Sequence, residues 1–144
     1  MPEDRIARAS THIEAAKNTV WQALVDPAAI KQYMFGTTVT SEWREGAPIQ
    51  WKGEWQGKAY EDKGVILTLD RGTRLRYSHF SPLSGLPDRP ENYHTVTIDL
   101  SEEDGHTHVS LAQDHNATDE ARAHSEKNWQ MMLEGLKKYV EGSG

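Results

Sequence analysis

The sequence predicts an α+β fold in which a curved antiparallel sheet of about seven strands wraps around a long C-terminal helix. The chain opens with one strand-like run and two short helical segments, continues with six strand-like runs, and closes with one amphipathic helix. Consecutive strands that are joined mostly by short turns build an antiparallel meander. A long amphipathic helix after such a meander has to cover its concave face, because no other segment of the chain can.

The first three elements are predicted as a strand over 5–15, a helix over 17–26 and a second short helix over 27–34. In the first helix, apolar residues recur at helical spacing, namely Val20, Trp21, Leu24 and Val25. The helix ends before Pro27, since the residue that precedes a proline avoids the α region. Pro27 suits the first position of the next helix, and Gly36 ends that helix.

The strand-like runs that follow cover 37–43, 48–56, 58–70, 73–80, 93–100 and 106–114. Alternation in the second of these runs places four residues on one face, namely Ile49, Trp51, Gly53 and Trp55. The final helix is predicted to begin at Thr118, a residue type that caps helices, and two acidic residues follow it at the positive end of the helix dipole. Its apolar stripe consists of Ala121, Ser125, Trp129, Met132, Leu133, Leu136 and Val140.

Length and composition exclude several classes of function. The 144 residues predict one domain over 1–144, which is long enough to bury a core. A net charge of −6 argues against a nucleic-acid partner and against docking on anionic lipid. Without cysteine there is no disulfide, thiol nucleophile or Cys-ligated metal. We find no glycine-rich cofactor motif, signal peptide or apolar run of membrane-spanning length, so we expect a cytoplasmic protein without cofactor or membrane insertion.

Alternation also sorts the late strands into an inward and an outward face. The run over 73–80 turns its arginines to solvent, so Tyr77 and His79 point inward. On the next two strands the inward set consists of His94, Val96, Ile98, Leu100, Val109, Leu111 and Gln113. The pattern therefore predicts two imidazoles, a phenol and an amide near one end of an otherwise apolar face.

The connection "SPLSGLPDRPENY" over 81–93 is unusually long for two adjacent strands, which are commonly joined by about two to five residues. Three prolines stiffen it. His79 lies at the end of the strand before the connection and His94 at the start of the strand after it, so both histidines are expected at its base. We predict that this loop forms the rim of a pocket.

Simpler interpretations of these residues stay open. An inward histidine near a strand end can be satisfied by a backbone carbonyl, and tryptophans such as Trp51 and Trp129 are common in ordinary cores. The "HTH" at 106–108 supplies only two imidazoles, fewer than a zinc site needs, so we expect no metal. Glu61 and Asp62 could form an acid/base pair, but we interpret "YEDK" as alternating charges that face solvent.

A family resemblance is carried by the stretches "VWQALVDPAAIKQYMFG", "WKGEWQGKAYEDKGVIL", "RLRYSHFSPLSGLPDRPENYHTVTIDL" and "HSEKNWQMMLEGLKKYV". They are similar to the SRPBCC superfamily, and more narrowly to its bacterial branch related to the activator of heat-shock-protein-90 ATPase. The resemblance runs from about Arg5 to Val140. It implies the helix-grip fold, also called START-like or Bet v 1-like, with a cavity between the sheet and the C-terminal helix. Catalytic residues are not shared across this superfamily, so none is carried over.

From the inward residues and the resemblance together we predict a binding protein for a small hydrophobic or aromatic molecule. The predicted cavity wall consists of Trp51, Trp55, Tyr77, Val96, Ile98, Trp129 and Met132. The predicted polar end consists of His79, His94 and Gln113, with Tyr33 and Phe35 near the entry between helix and sheet.

Two other functions remain as alternatives. One is a cyclase, dehydratase or hydrolase that acts on an aromatic or polyketide-like substrate, with His79 or His94 as general base. The other is a co-chaperone-like module with a chaperone partner, which would use the outer sheet face around Arg74 and Arg76.

Overall fold

The computed structural model describes residues 5–34, 36–55, 57–81, 87–116 and 118–142, except for the side chains of Arg5, Trp55, Lys58 and Pro90. The strands are β1 (Arg5–Ile13), β2 (Thr38–Ser41), β3 (Pro48–Trp55), β4 (Lys58–Asp70), β5 (Arg74–His79), β6 (His94–Glu103) and β7 (His106–Asn116). The helices are α1 (Lys17–Leu24), α2 (Pro27–Tyr33) and α3 (Asp119–Gly142), and a short 3-10 turn covers Pro90–Asn92.

The seven described strands form one antiparallel sheet in the order β1-β7-β6-β5-β4-β3-β2. Strands β2 to β7 therefore follow one another in space as they do in sequence. Strand β1 joins the far edge, where Ala9 pairs with Leu111 on β7. The predicted α+β class, the meander, the two short helices after the first strand and the long final helix are all confirmed.

The C-terminal half of α3 packs into the concave face of the sheet. Leu133 and Leu136 are completely buried there, and burial of each such side chain stabilises the fold by about 1.5–3 kcal/mol. Earlier in the same stripe, Ala121, Ser125 and Trp129 stay partly exposed, so the sheet is less tightly covered under the first half of the helix. None of the described helices is both long and apolar enough to cross a membrane.

Helices α1 and α2 close one end of the core. As expected from the sequence, α2 begins at Pro27, and the side chain of Asp26 caps it by accepting a hydrogen bond from the N–H of Ala28 at 3.0 Å. The buried Tyr33 hydroxyl donates to the carbonyl of Ala23 at 2.9 Å, which ties the two helices together. This bond satisfies the only polar atom of the Tyr33 side chain, so that the ring can lie in the core.

The first strand of the meander is shorter than predicted. Strand β2 ends at Ser41, whereas the sequence indicated a strand over 37–43. Trp43 adopts a φ of 53°, in the left-handed region, and a residue in this conformation cannot continue an extended strand. The turn that it starts leads into β3.

Strands β4 and β5 approach each other closely at Gly64. Ile66 pairs with Tyr77, whereas Thr68 pairs with Arg76, so the register shifts by one residue between these pairs. A Cβ atom at Gly64 would lie 1.7 Å from the carbonyl oxygen of Ser78. Only glycine therefore permits this strand pairing without movement of the backbone.

We expect Gly64→Ala to lower the free energy of unfolding by at least about 1–3 kcal/mol, because the new methyl group collides with backbone rather than with a flexible side chain. Urea denaturation followed by far-UV circular dichroism measures the change. The matched control is Gly142→Ala at the end of α3, where an added Cβ meets nothing within 4 Å. Equal stability of the two variants would contradict the steric account.

Candidate functional site

Two clefts lie between the sheet and the first half of α3. The first has a volume of about 430 Å³ and is lined by Met34, Thr37, Trp51, Tyr60, Asp62, Tyr77, His79, Ser81, Asn128 and Trp129. The second has a volume of about 330 Å³ and is lined by Met34, His79, Ser81, Asn92, His94, Gln113, Ser125, Asn128, Trp129 and Met132. They share five lining residues, so we treat them as one depression and call it the concavity.

Deeper in the fold, side chains fill the space between sheet and helices. A void of about 30 Å³ remains among Leu24, Ile30, Tyr33, Met34, Trp43, Ile49, Trp51, Leu75, Tyr77, Ile98 and Met132. This volume holds about one water molecule. Room for a larger molecule lies instead in the concavity, at the end of the sheet where β5 leads towards β6. An enclosed apolar cavity under α3 stays a prediction.

An aspartate–histidine pair lies in the wall of the first cleft. Nε2 of His79 on β5 is 2.8 Å from Oδ2 of Asp62 on β4, and both side chains are largely buried. A carboxylate can only accept, so Nε2 of His79 carries the hydrogen and donates it. The interpretation of Asp62 as a solvent-facing charge was wrong: alternation along β4 turns Glu61 outward and Asp62 inward.

The second oxygen of Asp62 is an exception among the described buried polar side-chain atoms. Oδ1 is inaccessible to solvent and has no hydrogen-bond partner in the described part of the chain. Buried polar atoms are nearly always paired, because a lost hydrogen bond to water costs about 1–3 kcal/mol or more for a charged group. Because water does not reach Oδ1 in this arrangement, a ligand in the cleft could contact it once the Asp62 side chain turns towards the cleft.

His94, at the start of β6, faces the second cleft. Its Nδ1 lies 2.9 Å from the backbone carbonyl of Asp114, and a carbonyl cannot donate, so Nδ1 carries the hydrogen. Burial lowers the pKa of His94; the bond to the carbonyl opposes this shift and the nearby His79 adds to it. In the neutral ring Nε2 is then an acceptor. The simpler interpretation of an inward histidine was that a backbone carbonyl satisfies its hydrogen bonding. For His94 this is true of Nδ1, one of its two ring nitrogens.

Trp129 is held over the concavity by a bond to the sheet. Its indole N–H donates to the side-chain oxygen of the buried Gln113 on β7. Next to it, the amide of Asn116 donates to the backbone carbonyl of Gln113 at 3.1 Å, and the Ser125 hydroxyl donates to the side-chain oxygen of Asn116 at 3.0 Å. These contacts orient the first half of α3, so Trp129 has a defined position above the sheet.

Aromatic side chains form the floor of the first cleft. The Trp51 ring contacts the rings of both Tyr77 and His79, each with a centroid separation of 5.1 Å. Tyr60 reaches across β3 to Thr37, and a Cβ at Gly53 would lie 2.5 Å from the Tyr60 hydroxyl oxygen. Gly53 therefore leaves the space that the Tyr60 ring occupies.

The ends of the loop over 81–93 lie next to the concavity and are anchored to the sheet. The rings of Phe80 and Tyr93 stack with centroids 5.1 Å apart. Asp88 forms an ion pair with Lys63 on β4 and accepts a hydrogen bond from the Tyr93 hydroxyl at 2.6 Å. The ends of the long loop are thereby fixed, while its middle, residues 82–86, lies outside the described residues.

The predicted site residues fall into three groups. Those that line the concavity are Trp51, Tyr77, His79, His94, Gln113, Trp129 and Met132. Those that pack in the core beneath it are Tyr33, Val96 and Ile98. Phe35 and the side chain of Trp55 lie outside the described residues.

Several lining residues were not predicted from the sequence, chiefly Asp62, Tyr60, Asn92 and Asn128. The signal that could have found Tyr60 and Asp62 is the apolar Ile66 on the same strand. If Ile66 is assigned to the inward face, alternation places Tyr60 and Asp62 on that face too. No local pattern marks Asn92 or Asn128, which reach the concavity from the loop and from the helix.

The histidines of "HTH" lie on the outer face of the sheet. His108 faces His12 across β1 and β7 with 3.2 Å between ring nitrogens, and His106 lies 3.2 Å from Glu14. Within the described residues no group of three or more His, Cys, Asp or Glu side chains could hold a metal ion.

Comparisons with known proteins agree with the fold. The family profile described as "Activator of Hsp90 ATPase homolog 1-like protein" matches residues 14–141. The solution structure of ChR145 from Cytophaga hutchinsonii is 56% identical in sequence, with 99% of this chain and 98% of that chain covered and a TM-score of 0.86. The comparison with curated proteins gives no match.

Two distant structures show the same fold and no more. DynU16, a putative protein in the dynemicin biosynthetic locus, is 17% identical with a TM-score of 0.80; the alignment covers 96% of this chain and 48% of that one. Ara h 8.0201 is 12% identical with a TM-score of 0.77, and the alignment covers 97% of this chain and 99% of that one. The helix-grip, Bet v 1-like fold implied by the sequence resemblance is confirmed.

The lowered pKa of His94 predicts a specific contribution to acid sensitivity. Below about pH 6.5 an unfolded histidine binds a proton, whereas His94 in the folded protein resists protonation until its lower pKa is reached. The free energy of unfolding should therefore fall with decreasing pH across this window, and His94→Gln should reduce that fall. Urea denaturation at pH 7.5 and pH 5.5 measures both slopes. The control His124→Gln changes an exposed histidine on α3 and should keep the original slope.

Proposed function

The chain belongs to the family of Activator of Hsp90 ATPase homolog 1-like proteins, and we propose that it binds a small, largely apolar or aromatic molecule in the concavity. The observation that carries this proposal is the combination of aromatic walls with a few inward polar groups at one end. Ligand sites in proteins typically have this composition, in which apolar area supplies affinity and a few polar atoms orient the ligand.

The size of the concavity supports a ligand of drug-like dimensions. Its larger cleft, at about 430 Å³, lies within the range of roughly 300–1,000 Å³ that is common for small-molecule sites. Trp51 and Tyr77 present ring surfaces from the sheet, and Trp129 presents its indole from α3. Rings that face each other across a cleft favour a flat ligand, because aromatic pairs add about 0.5–1.5 kcal/mol beyond the area that they bury.

In this proposal the residues that touch the ligand are those that line the concavity, including His79, His94, Gln113 and Met132. Tyr33, Val96 and Ile98 support the wall from beneath. Phe35 and Trp55 stay predicted contacts.

A second candidate function is acid–base catalysis on such a molecule. The observation that favours it is the contact between Asp62 and His79, with the His94 ring centroid 6.5 Å from that of His79. General acid–base catalysis commonly uses an imidazole that is oriented by a carboxylate. Here a second imidazole that can exchange a proton lies beside it. Binding is the first proposal because it requires only the walls of the concavity.

We expect native mass spectrometry of protein purified gently from its own host to show an additional mass of a few hundred daltons, the size that such a pocket holds. The double variant Trp129→Ala, His94→Phe should lose this mass. If protein from several growth conditions shows only the mass of the polypeptide, this result would count against a tightly held ligand.

Direct titration tests the location of the site. N-phenyl-1-naphthylamine, a neutral aromatic probe, should bind with increased fluorescence, and His94→Phe should change its affinity several-fold or more, with little loss of stability because His94 is only partly buried. The matched control is His108→Phe on the outer face, which should leave the affinity unchanged. An equal effect of the two substitutions would place the probe elsewhere.

A further inference from the structure

The polar end of the concavity is rich in hydrogen-bond acceptors. Oδ1 of Asp62 is a buried carboxylate oxygen without a partner in the described part of the chain. In the neutral His94 ring, whose Nδ1 already donates to the carbonyl of Asp114, Nε2 can only accept. Both side chains line the concavity, and both would be satisfied by a ligand that brings hydrogens of its own.

Three donors near these acceptors already bind other protein groups. The hydrogen on Nε2 of His79 goes to Asp62, and the indole hydrogen of Trp129 goes to Gln113. The Ser125 hydroxyl donates to Asn116 at 3.0 Å. These three hydrogens are therefore bound to protein acceptors other than Oδ1 of Asp62 and Nε2 of His94.

The same is true at the far wall of the first cleft. The Thr37 hydroxyl donates to the carbonyl of Met34 at 2.6 Å, so it can only accept from the hydroxyl of Tyr60. Burial raises the pKa of Tyr77, so that its hydroxyl stays uncharged. Its hydrogen offers one neutral bond, which does not offset the charge of a carboxylate.

The charge of the lining points in the same direction. Among the described residues that line the concavity there is no lysine or arginine. Lys63, which follows Asp62 on β4, is exposed and pairs with Asp88 on the rim. An anionic ligand would thus lose its hydration against the Asp62 carboxylate with no lysine or arginine to compensate, which is costly in a partly buried site.

We infer that the ligand is a neutral aromatic molecule that donates hydrogen bonds, such as a phenol, with its ring between Trp51, Tyr77 and Trp129. Its hydroxyl would bind to Nε2 of His94, or to Oδ1 of Asp62 once that side chain turns towards the cleft. Aromatic carboxylates are excluded because the Asp62 carboxylate would repel them. This inference rests on the proposed binding function and adds the class of ligand to it.

Competition among three ligands of one ring size tests the inference. At pH 7 each is used to displace N-phenyl-1-naphthylamine: 2-naphthol donates a hydrogen bond, naphthalene cannot, and 2-naphthoate is an anion. We expect 2-naphthol to bind at least about tenfold more tightly than naphthalene, the effect of one hydrogen bond to a charged group. We expect 2-naphthoate to bind most weakly. Equal affinities, or a preference for 2-naphthoate, would overturn the inference.

Asp62→Asn gives the sharper test, because an amide nitrogen then replaces one carboxylate oxygen and donates where the carboxylate accepted. The advantage of 2-naphthol over naphthalene should shrink several-fold and the affinity for 2-naphthoate should rise. The control Asp99→Asn removes a carboxylate that pairs with Arg74 on the outer face and should preserve the original order.

The outcomes separate this inference from the proposed function. Probe binding that is lost in Trp129→Ala but shows no selectivity among the three naphthalenes would overturn the ligand class and leave the binding function intact. Failure of the probe and of all three naphthalenes to bind would overturn both. His94→Gln, which keeps an amide oxygen as acceptor, provides an independent variant if Asp62→Asn does not fold: the preference for 2-naphthol should persist in it and fall in His94→Phe.

Discussion

The structure depends on the burial of one apolar stripe of α3 against the concave face of the sheet. Leu133 and Leu136 lose all contact with water there, and no other helix among the described residues is long enough to cover the strands. The stripe becomes less apolar towards the start of the helix, where Ser125 and Asn128 face the concavity. The same helix therefore seals the core with one half and leaves a ligand-sized gap with the other.

The polar end of that gap is built from strand alternation. Asp62, His79 and His94 all lie at inward positions of β4, β5 and β6, where an apolar residue would ordinarily fill the core. The bond from His79 to Asp62 and the bond from His94 to the carbonyl of Asp114 reduce the cost of burying these groups. They do not remove it, because Oδ1 of Asp62 has no partner among the described residues. Under the proposed binding function, a ligand that donates a hydrogen bond to this oxygen would recover part of that cost.

The charge of the site separates it from pockets that hold fatty acids or other anions by lysine or arginine. Around the concavity the described lining offers aromatic surface and acceptors, whereas the cationic Lys63 and Arg74 are engaged with Asp88 and Asp99. Affinity in such a site comes mainly from ring surface, and selectivity comes from the few polar atoms. Fold membership alone does not specify these atoms, since one fold hosts many functions.

The order of elements, the sheet and the covering helix were determined by the sequence itself, because alternation and helical spacing are local signals and because Pro27 and Gly36 mark the ends of α1 and α2 within a few residues. The inward faces of β5, β6 and β7 followed from the same rule. The partner of His79 was decided only by the tertiary structure: Asp62 lies 17 residues away, and the pairing of β4 with β5 brings the two within 2.8 Å. Whether the space under α3 is open was likewise beyond any local pattern, since it depends on how side chains from six elements fill one volume.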